Sequence, residues 1–111
     1  MHLIAITKGE LIETLTEKVA ELNITAGAIV SLVGGVDTFR ISTMPADDAT
    51  KDIITDYASP AEMSGTGEIV NGQPHIHAVM AIEGDKAISG HLHAATVQTW
   101  FANVYIVPLD A

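Results

Sequence analysis

The chain has 111 residues, 48% of them hydrophobic and 17% charged, which is enough apolar material for one domain with a core and excludes disorder. Its 5 Lys+Arg against 14 Asp+Glu give a net charge of −9, a field that repels phosphate backbones and anionic membranes and so disfavours direct nucleic-acid binding. The absence of cysteine excludes disulfides, thiolate metal sites and cysteine nucleophiles.

Leu3 to Thr7 reads as a short strand. Thr7-Lys8-Gly9-Glu10 fits a capping box, with Thr7 as N-cap and Glu10 reaching back. Leu11, Ile12, Leu15, Val19 and Leu22 then form the apolar stripe of an amphipathic helix that Asn23 stops in a left-handed conformation. Ile24 to Val33 is nearly continuous apolar sequence and predicts a buried strand closed by Gly34-Gly35. Val36 to Ser42 predicts another strand, Thr43 to Lys51 a loop, Asp52 to Tyr57 a strand, and Glu62 to Val70 the next. Asn71-Gly72 is the strongest tight-turn dipeptide. His75 to Ile82 and Lys86 to His93 are two strands joined by Glu83-Gly84-Asp85. Val97 to Val107 is the closing strand, with Trp100 and Phe101 on its opposite faces, one in the core and one at a subunit interface.

One helix among strands predicts a single α+β domain over 1–111, an α/β sandwich with a mostly antiparallel central sheet packed by one N-terminal helix. A short chain rich in apolar residues also favours an oligomer. No apolar run reaches the roughly 20 residues that span a bilayer. The first residues carry neither a basic nor a long apolar leader region, so the expected location is cytoplasmic.

Four of the five histidines fall in two His-x-His pairs, His75-Ile76-His77 and His91-Leu92-His93. On a strand, residues i and i+2 share a face, so each pair points one way. If Ile82 stands opposite Lys86, His77 faces His91 and His75 faces His93, and all four imidazoles meet on one face with Cβ atoms roughly 4.5–5.5 Å apart. A two-residue loop at Gly84-Asp85 would instead send the pairs to opposite faces. Neutral imidazoles so spaced suit a divalent metal, zinc first, bound at about 2.0–2.1 Å per nitrogen. The bland alternative is histidines satisfied by carbonyls, carboxylates or a neighbouring subunit. Glu62, Glu68, Glu83 and Asp85 are candidates to orient imidazole N–H groups. Gly65-Thr66-Gly67 and Gly34-Gly35 lack a phosphate-binding spacing and read as bulges or close backbone approaches.

Gly72-Gln73-Pro74-His75-Ile76-His77-Ala78, followed by Ser89-Gly90-His91-Leu92, resembles the signature of the plant-and-prokaryote conserved (PPC) domain. Lys8-Gly9-Glu10, Gly67-Glu68-Ile69 and Phe101-Ala102-Asn103-Val104-Tyr105-Ile106 are also similar to family segments, whereas residues 36 to 60 match poorly. The resemblance implies an α/β fold with a central antiparallel sheet assembled as a homotrimer. It also implies a histidine cluster, with metal suggested, carried here by His75, His77 and His91. His93 joins that set from the strand-pairing argument alone. Plant members add a basic Arg-Gly-Arg-Pro hook for DNA that this chain does not contain. The expected function is a homotrimeric binding or scaffold module with a histidine metal site, its partners being itself and a small molecule or protein. The alternatives are a metal-dependent small-molecule hydrolase or lyase, and a DNA-associated regulator acting through a partner.

Overall fold

The structure, a computed structural model, describes residues 1–109; the last two residues of the expected domain, 110–111, lie outside the described residues. Ten elements follow in chain order: β1 (His2–Ile6), β2 (Gly9–Glu10), α1 (Leu11–Glu21), β3 (Ala26–Val36), β4 (Thr38–Thr43), β5 (Ile53–Tyr57), β6 (Ala61–Val70), β7 (Gln73–Ile82), β8 (Lys86–Val97) and β9 (Ala102–Pro108). All strands join one antiparallel sheet in the order β1-β9-β3-β6-β7-β8-β4-β5, with β2 added on β8. The expected α+β architecture, a mostly antiparallel sheet with a single helix, is therefore the one observed.

The helix covers one face of the sheet. Of the expected stripe, Leu11, Leu15 and Val19 are fully buried, Ile12 is partly buried and Leu22, at the C-cap, is exposed; α1 packs against β1, β7 and β8. Ile6, Ile29, Leu32, Met63, Ile76, Met80 and Ile106 meet it from the sheet to form the core. No helix among the described residues is long and apolar enough to cross a membrane.

Several local expectations need correction. The helix is capped by Glu10, not Thr7: Gly9 and Glu10 are drawn into pairing with β8, and the Glu10 carboxylate accepts the Ile12 and Glu13 N–H groups at 2.9 Å. Asn23 does take the left-handed conformation, at φ 56°. The apolar run of β3 is buried on one face only. Val30 is an extra residue against β9, so Ile29 and Leu32 both reach the core while Val30 and Val33 are exposed. Gly34-Gly35 continue that strand rather than close it.

Trp100 and Phe101 lie outside any strand, because β8 extends to Val97 and β9 starts at Ala102. The connection is held by Asp37, whose carboxylate accepts the Gln98 and Thr99 N–H groups at 2.9 and 3.1 Å and also the Thr99 hydroxyl. These bonds, the Thr99 hydroxyl first, hold the Asp37 carboxyl below its ordinary range. Both aromatic side chains are left exposed instead of one entering the core.

Candidate metal centre

The site is decided by one turn. Asn71-Gly72, both at positive φ, close the β6–β7 hairpin, and Glu83-Gly84-Asp85 close the β7–β8 hairpin with Ile82 opposite Lys86. The three-residue loop sets the register that puts His77 directly opposite His91. Ile76, Ala78 and Met80 fill the core from the other face of β7, so a one-residue slip would drive the histidines into the core and the apolar side chains out.

His75, His77 and His91 each offer a ring nitrogen, and these atoms all lie within 4.8 Å of one another. Ring centroids stand 5.0 Å apart for His75 and His77, 4.9 Å for His75 and His91, and 5.7 Å for His77 and His91. On the neighbouring strand β6, Glu68 is the register partner of His75, and its carboxylate lies 2.9 Å from His75 Nδ1. Nδ1–H donating to Glu68 leaves Nε2 with a free lone pair, which is how metal-binding imidazoles are commonly oriented. Of the four acids considered from sequence, Glu68 is the one hydrogen-bonded to an imidazole.

His93 lies against this trio without being one of it. The β7–β8 ladder ends at His77–His91, so the expected opposition of His75 and His93 does not form. On its other edge β8 pairs with β4 as Ile41–Leu92 and Arg40–Ala94, which makes His93 the unpaired residue of a bulge. Its ring stacks on His91 at 4.5 Å, and its Nε2 lies 2.7 Å from the buried Ser42 hydroxyl. Gly90 permits the close approach of β4 at this point, since a Cβ there would lie 2.3 Å from the Ser42 carbonyl oxygen.

Burial pushes the His91 imidazole below the ordinary histidine range; His93, His75 and His77 push it the same way, and Asp52 opposes them. These influences favour the neutral form of the central ring, the form that binds metal. Ser42 and Asp52 were not singled out from the sequence. Each lies in or beside a segment that carries no motif; β4 brings Ser42 to the site by pairing with β8, and β5, just after Asp52, pairs in turn with β4.

Comparison with known proteins places this geometry in context. The Plants and Prokaryotes Conserved (PCC) domain matches the chain over residues 1–109. No curated protein matches its sequence. Among solved structures, a candidate DNA-binding protein of Bacteroides thetaiotaomicron is similar with a TM-score of 0.83 at 18% identity, covering 98% of this chain and 78% of that one. A metal-containing protein of Archaeoglobus fulgidus is similar with a TM-score of 0.77 at 22% identity, covering 96% and 79%. The acetolactate decarboxylase of Bacillus subtilis is similar with a TM-score of 0.63 at 14% identity; all of this chain is covered but only 57% of the enzyme. At these identities the likeness is one of fold.

Proposed function

The chain belongs to the Plants and Prokaryotes Conserved (PCC) domain family, and from that premise we propose that it is a cytoplasmic, homotrimeric binding module that holds one divalent cation, zinc first among them, on His75, His77 and His91. The observation that carries this reading is the convergence of three imidazoles within 4.8 Å, one of them oriented by Glu68. The donor set fits such an ion. Three nitrogens around a tetrahedral zinc stand about 3.3 Å apart, so small side-chain rotations would draw these rings onto it. His93 would have to give up Ser42 to join them, and we place it beside the ligand set rather than in it. Bound there, the cation would supply Lewis acidity and a more acidic coordinated water. The protein's own part is to fix the rings, through the β7–β8 register, and the tautomer of His75, through Glu68.

Metal analysis of protein purified without a histidine tag tests the reading. One equivalent of divalent metal per chain is expected, lost in a folded His77→Ala variant. A metal-free protein with intact fold after zinc loading would overturn it. So would His91→Ala retaining full stoichiometry.

A second reading, a metal-dependent lyase or hydrolase acting on a small molecule, is favoured by the likeness to acetolactate decarboxylase. Three protein ligands also leave a tetrahedral position open. Carbon dioxide release from acetolactate by the zinc-loaded protein, abolished by His77→Ala, would support it; no release would set it aside. The charge of −9 argues against direct DNA contact, so regulation at DNA would require a partner.

A further inference from the structure

His93 is a fourth imidazole beside the metal centre that takes no place in it. Its ring centre stands 4.5 Å from that of His91, nearer than any two rings of the trio stand to each other. Ring centres around one tetrahedral zinc are roughly 5 Å apart, so distance from His91 does not keep His93 out. It is nevertheless not a member of the group whose ring nitrogens lie within 4.8 Å of one another. What engages it instead is the Ser42 hydroxyl, 2.7 Å from His93 Nε2.

That bond is built into the sheet. Ser42 is the register partner of His91 across β4 and β8, and His93 is the bulge residue two positions further on. Ser42 is 3% exposed, the one buried polar side chain among the described residues, and a hydroxyl so buried is costly to leave without a partner. Each group therefore holds the other. The chain itself buries Ser42, so the arrangement stands whether or not a second copy covers the sheet.

We infer that Ser42 is a positioning residue: by holding His93 it limits the site to three protein nitrogens. The fourth position of a bound ion is thereby left to water or to a small ligand with an oxygen or nitrogen donor. The inference rests on the metal reading above. Three protein ligands and an open position characterise a zinc that binds or activates a ligand, whereas four protein ligands make a closed, structural site. One hydroxyl decides between the two.

The experiment loads the whole, tag-free chain with zinc. X-ray absorption at the zinc edge counts the bound imidazoles, and competition with a chelating dye gives the affinity. The parent should show three imidazoles. Ser42→Ala should show four, with zinc held at least tenfold more tightly and an unchanged circular dichroism spectrum. Ser42→Gly, which also removes the hydroxyl and adds no bulk, should do the same. Ser42→Ala/His93→Ala should return to three imidazoles and to the parent affinity, a reversal that a merely structural role for Ser42 would not produce. Four imidazoles in the parent would overturn the inference and leave the metal reading standing. So would three imidazoles at parent affinity in both single variants. A parent that binds no zinc would overturn both.

Discussion

Glu68 and His75 illustrate how one side chain acts through another. The 2.9 Å contact fixes which ring nitrogen of His75 is free, without Glu68 itself being placed among the ligands. Glu68→Gln is expected to keep the fold, since both groups are well exposed, and to weaken zinc binding roughly 10- to 100-fold. Competition with a chelating dye measures that directly. His91 makes a pH prediction. Its imidazole titrates below the ordinary value of 6.5 when folded, so as pH falls past that value the unfolded chain takes up a proton first. The metal-free protein should therefore lose stability as pH falls from 6.5 toward the folded value, and gain nothing from this group above 6.5. Thermal melts of the metal-free protein from pH 7.5 to 5.5 should show a steeper decline than those of His91→Asn. Parallel curves would contradict the assignment.

Among the elements, β8 carries the most varied duties. Its first half pairs with β7 and sets the histidine register, its second half pairs with β4, and the His93 bulge lies in that second half. Its end also anchors the helix. One Glu10 oxygen accepts both the Ile12 and the Ala95 N–H groups at 2.9 Å, so a single carboxylate caps α1 and ties it to the sheet. Glu10→Ala leaves three N–H groups without this acceptor. Allowing for the usual worth of a helix cap, the cost should be about 2 kcal/mol. Denaturant unfolding would register it as a lower midpoint at an unchanged slope. A loss no greater than that of an ordinary surface substitution would mean that water replaces the carboxylate at no cost.

Over the described residues the molecule is a slab of 38 × 36 × 18 Å, one helix on one sheet, with the other sheet face left bare by those residues. Leu3, Val30, Val70 and Val79 are exposed, and the register puts Leu3, Val70 and Val79 on that bare face. This is the arrangement expected of a subunit. Light scattering should return about three chains per particle, and Val70→Asp should shift the population toward monomers without loss of secondary structure. A parent protein that is already monomeric would remove the trimer from the reading.

How much of this was legible beforehand follows from the range of each interaction. The helix stripe, the Asn71-Gly72 turn, the two His-x-His strands and the family resemblance rest on neighbours a few residues apart, and the chain encodes those directly. The facing of His77 and His91 was legible conditionally, because a turn of known length converts sequence spacing into register. The rest depended on distant partners. Thr7 lost the cap because the end of β8, at Thr96 and Val97, paired with Gly9 and Glu10. His93 left its expected partner because β4 imposed a bulge, and Trp100 left its strand because Asp37 gathered the connection. Sequence alone determined which histidines are the candidates for the site. Only the folded sheet decided which of them meet, because antiparallel pairing joins residues whose separation along the chain says nothing of their distance in space.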